Sequence, residues 1–211
     1  MKKPIDVSIT ISSDATVYPG DDPIEVSSIC SITDSCPCKI TKLGWTTHFL
    51  THVDPPSHFV IDGNSLDEIP LDRFVVDAVV HEVFGECVTA EDITSLQLKP
   101  GDSLLLKTKN SWQWIGTGAF NEQHVYISKD AANEIVKARL NLVGFDYVSI
   151  DQYGNNEYPA HRAILGADII VLEGLALRDI APGRYKLVAL PLKIEQGDGS
   201  PVRAVLFHQE P

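Results

Sequence analysis

The chain has 211 residues, of which 44% are hydrophobic and 22% charged, and carries a formal charge of −12. That length suits one domain, residues 1–211, with a real hydrophobic core, and the acidic balance argues against a nucleic acid or an anionic membrane as partner. No apolar run reaches the roughly 18 residues of a membrane span. The N-terminal Met1 to Asp6 lacks the apolar stretch of a secretion signal, so a cytoplasmic protein is expected.

Read in order, Ile5 to Ile11 alternates polar and apolar residues and predicts a strand, followed by the turn-rich Val17 to Pro23. Two β-prone runs follow, Glu25 to Ile32 and Lys39 to Phe49, and the second leads into a histidine-rich stretch. Phe74 to Val80 reads as a buried strand after a turn at Leu71 to Arg73. Thr89 and Asp92 have capping-box spacing and start a helix over 90–96. Ser103 to Thr108 is a strand, Lys129 to Leu140 a helix started by Ser128, and Leu142 to Asp146 a strand. Pro159 to Leu165 is a short helix ended by Gly166, and Ile169 to Glu173 a strand. This β-α-β-α-β succession implies at least three parallel strands. Tyr185 to Ile194 and Val202 to His208 close the chain as two strands around Gly197 to Gly199. The fold class expected is α/β with a mixed sheet and an antiparallel N-terminal portion.

Four cysteines, Cys30, Cys36, Cys38 and Cys87, are too few and too unevenly spaced for a disulfide scaffold, and reduced thiols are expected. Cys36-Pro-Cys38 has no second pair to complete a zinc site. Trp112 and Trp114 sit near Gly116 and Gly118, which predicts a mobile loop able to close over a substrate or cover a partner subunit, weighed against ordinary packing. Lys107, Arg203, His81, His124 and His208 read as structural.

The chemistry concentrates in His48-Phe-Leu-Thr-His52-Val-Asp54-Pro-Pro-Ser-His58, which holds three of the seven histidines. The three histidines and Asp54 stand at even offsets from His48, so an extended backbone sends all four to one face. Pro55 and Pro56 exclude a helix. A straight strand from His48 to His58 would span roughly 33 Å, too far for the side chains to meet at one ion. The stretch therefore predicts a strand carrying His48, His52 and Asp54 that bends, then a Pro-Pro turn swinging His58 back. Imidazole and carboxylate without thiolate suit a borderline divalent ion such as Zn²⁺, Mn²⁺ or Fe²⁺, with positions left open for water or substrate. The bland alternative is a chance cluster of loop histidines. Further on, Glu173 ends a strand at the carboxyl edge where α/β sheets gather ligands, and His161 opens the preceding helix.

His48 to His58 matches His-x-Gly-Thr-His-x-Asp-x-Pro-x-His except that Leu50 stands at the glycine position. With Val17-Tyr-Pro-Gly-Asp21, Gly144 to Asp151, His161, Leu172-Glu-Gly-Leu175 and Gly197 to Ala204, the chain resembles the cyclase-type metal-dependent hydrolase family, which includes bacterial kynurenine formamidase and isatin hydrolase. The resemblance implies a swivelling β/β/α fold and homodimers or homotetramers. It implies that His48, His52 and Asp54 hold one metal, and that Asp54 bridges to a second held by His161 and Glu173. One or two ions are expected, with zinc or manganese favoured. It also implies that His58 moves protons and that Tyr18 lies against the substrate. The implied reaction is hydrolysis of a small amide-like substrate, a formamide, cyclic amide or imide. A cyclase, dehydratase or lactonase using the same ions is the alternative, and a non-catalytic metal-binding protein the second.

Overall fold

The computed structural model describes residues 3–114 and 116–209. Strands run over β1 (Ile5–Asp6), β2 (Glu25–Cys30), β3 (Ile40–Gly44), β4 (His52–Asp54), β5 (Val75–Glu82), β6 (Ser103–Lys107), β7 (Leu142–Phe145), β8 (Ile170–Glu173), β9 (Gly183–Val188), β10 (Ser200–Pro201) and β11 (Val205–His208). Helices are α1 (Ala90–Thr94), α2 (Asn110–Gln113), α3 (Lys129–Ala138) and α4 (Pro159–Gly166), with 3-10 turns at Pro56–His58 and Leu71–Phe74. Nine strands form one mixed sheet in the order β1-β11-β9-β5-β6-β7-β8-β4-β10, and β2 and β3 pair only with each other. β5 to β8 are parallel neighbours, and the flanking pairs are antiparallel.

Alternation along the central strands builds two apolar layers. Leu104 and Leu106 of β6, Val143 and Phe145 of β7 and Val171 of β8 pack with Ile93, Ala131, Ile135 and Ile164 from α1, α3 and α4. Leu105, Leu142, Ile170 and Leu172 face the other way, onto Val53, Phe74, Tyr185, Leu187 and Leu206. Helices thus cover one face and the curled antiparallel half covers the other. Glu173, two residues beyond Val171, lies on the helix side, where α4 can bring His161 to it. The Thr89–Asp92 capping box and the Ser128 cap are both formed.

Four expectations need correction. The strand expected over 5–11 is paired as a strand only at Ile5–Asp6, because the chain then leaves β11: Ser8 bridges to Leu175, and the Ile9 amide donates to Thr51 Oγ1. His48 is not on the strand of His52 and Asp54, since Leu50 takes φ 47 and turns the chain before β4. Trp112 and Trp114 are not in an open loop. α2 carries Trp112 beneath the Lys107 ammonium, and Trp114 is buried with its indole N–H on Thr16 Oγ1. Asp146 fixes this segment by accepting from the amides and hydroxyls of both Thr108 and Ser111. Cys30 and Cys36, expected as thiols, form a disulfide across the end of the β2–β3 arm, while Cys38 and Cys87 are free.

Candidate metal centre

Antiparallel pairing of β4 with β8 sets His52 opposite Glu173, and cross-strand partners project to the same face. Asp54, two residues on, shares that face. The 3-10 turn begun by Pro56 folds His58 back until its ring stacks on His48, with centroids 3.7 Å apart. α4 supplies His161 from its first turn, and Phe59 stacks on that ring at 4.8 Å. Tyr18, His48, His52, His58, His161 and Glu173 line one cavity of about 220 Å³ together with Asp21, Phe59, Val148, Ser149 and Tyr158. All the site residues expected from the sequence, Asp54 at the base included, are therefore brought together. A larger cleft of about 430 Å³, lined by Ile9, Trp45, Phe49, Leu192 and the Asp6–Arg203 ion pair, contains none of these histidines.

Asp54 is the hub. Its Oδ1 lies 2.8 Å from His48 Nδ1 and 3.2 Å from His52 Nε2, and its Oδ2 lies 3.7 Å from His161 Nε2. Glu173 reaches His52 Nε2 at 3.4 Å and His161 Nε2 at 3.2 Å, and its Oε1 accepts from the Ile150 amide. Two groups of donor atoms lie within 4.8 Å of one another, His48/Asp54/His58 and His52/Asp54/Glu173. Both share Asp54, though their partners are not divided as the resemblance implies. Asp54 Oδ2 is buried and has no hydrogen-bond partner, a costly state for a charged oxygen in the interior. A cation is what such an oxygen lacks, and the imidazole and carboxylate set around it fits a divalent ion.

Three of the four clustered histidines are oriented from behind by an acceptor, which fixes the proton on that nitrogen and turns the other inward. His161 Nδ1 donates to Asp151 Oδ2 at 2.6 Å, and Asp151 also accepts from the Ala160 and His161 amides, capping α4. His52 Nδ1 donates to the Leu50 carbonyl at 2.9 Å. His48 Nε2 donates to Asp198 Oδ2 at 3.3 Å, and Asp198 Oδ1 accepts from Thr47. Two glycines permit these approaches: a Cβ at Gly174, φ +68, would lie 1.9 Å from the Leu50 carbonyl oxygen, and one at Gly199 would lie 2.6 Å from the His48 ring. Asp151, Asp198 and the Leu50 carbonyl had no assigned role in the sequence reading. Asp151 stood in a noted acidic segment and Asp198 in a noted Gly-Asp-Gly turn, but nothing local in either says which histidine it supports.

The electrostatics follow from burial and mutual charge. Burial opposes the charged forms, yet Asp54 and Glu173 outweigh it for His52, which is raised to about 10, and His161 rises for the same reason. Burial likewise opposes ionisation of Asp54, and His52, His161 and His48 overcome it, holding its carboxyl well below the usual range. His58 departs from this pattern. Burial lowers it to about 4, and the attraction of Asp54 does not make up the loss, so its imidazole is neutral at physiological pH. Tyr18 is pushed up to about 12 by burial and by the phenols of Tyr158 and Tyr153.

Comparison with known proteins gives the family and the fold. A family model described as "Putative cyclase" matches residues 5–152. The kynurenine formamidase of Salinibacter ruber is 37% identical over 205 residues, covering 96% of each chain. A solved structure described as a potential metal-dependent hydrolase with cyclase activity superposes with a TM-score of 0.86 at 30% identity over 100% of both chains. Isatin hydrolase A from Labrenzia aggregata gives 0.83 at 24% identity, over 97% of this chain and 93% of that one, a likeness of fold. With the family model spanning most of its length and a relative this similar end to end, the chain belongs to the cyclase family.

Proposed function

We infer that the chain hydrolyses the carbon–nitrogen bond of a small formamide, cyclic amide or imide with the help of a divalent metal. It is a metal-dependent hydrolase acting on bonds other than peptide bonds, as the kynurenine formamidases similar to it along their whole length support. The observation that carries the reading is the buried Asp54 carboxylate, its Oδ2 without a hydrogen-bond partner, set among His48, His52, His161 and Glu173, with neutral His58 beside it. His48, His52, Asp54, His161 and Glu173 are the ligands we assign, to one or two ions of zinc or manganese. Bound there, such an ion supplies Lewis acidity toward the amide carbonyl and lowers the pKa of water toward neutrality. His58, unprotonated at neutral pH, accepts the proton released on attack and returns it to the departing nitrogen. Tyr18, at the cavity wall, contacts the substrate.

The whole chain, residues 1–211, acts as one hydrolase domain in this reading. Val26, Ile29, Ile40 and Leu43 are exposed on the β2–β3 arm, and an isolated two-stranded hairpin is marginally stable in water. Both points support assembly into a homodimer or homotetramer through the arm. No helix among the described residues is long and apolar enough to cross a membrane. A cytoplasmic location is consistent with the free Cys38 and Cys87, while the Cys30–Cys36 pair weighs against it.

The test is a panel of formamides, cyclic amides and lactones given to purified protein carrying stoichiometric metal. Turnover of a formamide or cyclic amide, with solvent ¹⁸O appearing in the acid product, is expected. Turnover of none, or a product free of solvent oxygen, overturns the reading, and the second result favours a cyclase or dehydratase.

A further inference from the structure

Of the three histidines outside the candidate centre, His124 alone is buried, while His81 is half-buried and His208 exposed. Both of its ring nitrogens meet main-chain carbonyl oxygens: Nδ1 lies 3.0 Å from Asn121 O and Nε2 lies 2.9 Å from Asp151 O. A carbonyl only accepts, and a neutral imidazole has one N–H to give. Burial lowers the pKa of His124 below its usual value, so at neutral pH the ring serves one of the two. The surroundings decide which. Asn121 O already accepts from the His124 amide at 3.2 Å and from the Tyr147 hydroxyl at 3.4 Å, whereas no other donor among the described residues reaches Asp151 O. A buried carbonyl left without a donor is costly, so the proton sits on Nε2. Nδ1 becomes a donor to Asn121 O only when acid protonates the ring.

The place of Asp151 gives this bond its weight. The segment from Val148 to Gln152 belongs to no helix or strand, so its position depends on individual hydrogen bonds. Yet it supports both of the assigned ligands that come from outside the His48 to His58 stretch. The Ile150 amide donates to Glu173 Oε1 at 2.7 Å, and Asp151 Oδ2 accepts from His161 Nδ1 at 2.6 Å. His124 is itself firmly mounted. Its ring stacks on that of Tyr147, with centroids 4.5 Å and planes 23° apart, and Phe120 lies edge-on at 5.5 Å. Asn110 clasps the next residue, its side-chain amide donating to Val125 O at 3.0 Å and accepting from the Val125 amide at 2.9 Å. A rigid donor thus reaches a segment that regular structure does not fix.

We propose that His124 is a positioning residue for the candidate metal centre, donating from Nε2 to the Asp151 carbonyl and so fixing the peptide that orients His161 and Glu173. This rests on the metal-centre reading of the neighbouring cavity and adds to it a residue that does not line that cavity. His124 acts through Asp151. Without its donor the Asp151 carbonyl is released, the carboxylate on the same residue shifts, and the imidazole held by that carboxylate is no longer aimed.

The experiment compares wild type with three substitutions that separate hydrogen bonding from packing. His124→Gln sets an amide nitrogen near the place of Nε2 and keeps the bond to Asp151. His124→Asn, shorter by one methylene, sets the same group near the place of Nδ1 and loses that bond. His124→Phe keeps a flat ring against Tyr147 and has no donor. Zinc affinity is measured by chelator competition, and the His161 Nδ1–H proton is followed by NMR in the zinc-loaded protein. His124→Asn and His124→Phe should each weaken zinc binding about 10-fold and lose the protected His161 Nδ1–H signal to solvent exchange. His124→Gln should stay within about twofold of wild type and keep the signal. A histidine that only fills space gives the other order, with His124→Phe equal to wild type and His124→Gln below it. That order overturns the proposal, as does a His124→Asn protein that binds zinc as tightly as His124→Gln. Should His124→Phe fail to fold, the comparison of His124→Gln with His124→Asn still decides. Failure of wild type to bind zinc would instead overturn the metal-centre reading, and the His161 Nδ1–H signal across the four proteins would still decide the role of His124.

Discussion

Leu50 offers the sharpest test of how the site is held. Its φ of 47 costs a branched L-residue about 1–2 kcal/mol, and its side chain is 1% exposed within the helix-side core. The conformation serves the site: it turns the chain between His48 and His52 and lays the Leu50 carbonyl against Gly174 and on His52 Nδ1. Truncation to alanine removes buried methyl groups, which costs about 3 kcal/mol, and keeps a Cβ, so most of the backbone strain remains. Truncation to glycine removes still more contact but also the strain. The usual order of core truncations should therefore invert: Leu50→Gly should be more stable than Leu50→Ala by about 1 kcal/mol, with both below wild type. Urea denaturation of the three metal-free proteins reads this directly, provided the slopes agree. If Leu50→Ala equals or exceeds Leu50→Gly in stability, the left-handed backbone is not a significant cost and the explanation of this residue fails.

Other outcomes follow from the same geometry. Asp151→Asn replaces the anion behind His161 Nδ1 and should weaken metal affinity about 10- to 100-fold by chelator competition; unchanged affinity would show that Asp151 serves only to cap α4. His58→Ala should lower kcat by about 10²- to 10⁴-fold with metal content unchanged, whereas loss of the metal would make His58 a ligand. For pH, His52 rises from 6.5 to about 10 in the ion-free fold, the attraction of Asp54 and Glu173 overcoming burial. A raised folded pKa stabilises fully below the unfolded value and is lost as pH climbs through the folded one. The lowered Asp54 and Glu173 lose their contribution only in acid. The Tm of metal-free protein should thus fall between about pH 7 and 10, while metal affinity rises over the same window because binding releases these protons. Parallel behaviour of the two would contradict the coupling.

Much of this was legible in the sequence because its periodicities are local. The β-α-β-α-β rhythm, the Thr89 capping box and the Pro-Pro turn each declare themselves within a few residues, and the structure forms all of them. The cluster of His48, His52, Asp54 and His58 was legible from spacing, including the conclusion that a straight strand could not gather them, while the link to His161 and Glu173 came from the family resemblance. What was not legible depends on distant chain. No local pattern says that β4 pairs with β8 so that His52 faces Glu173, or that Asp198 from the last quarter of the chain meets His48. The place of bending was also hidden, since leucine at a left-handed position is a departure from propensity that tertiary contact alone enforces. Trp114 misled for a related reason: glycines beside it suggested a loose loop, whereas buried Asp146, 35 residues from Ser111, pins the segment.

The most direct test of the central claim is to titrate metal-free protein with zinc or manganese while following formanilide hydrolysis, in wild type and in His52→Ala. Activity should climb from zero in proportion to added metal and level off at one or two equivalents, and His52→Ala should lose tight metal binding and turnover together. Hydrolysis that proceeds without metal, or a His52→Ala protein that keeps both its metal and its activity, would contradict the account.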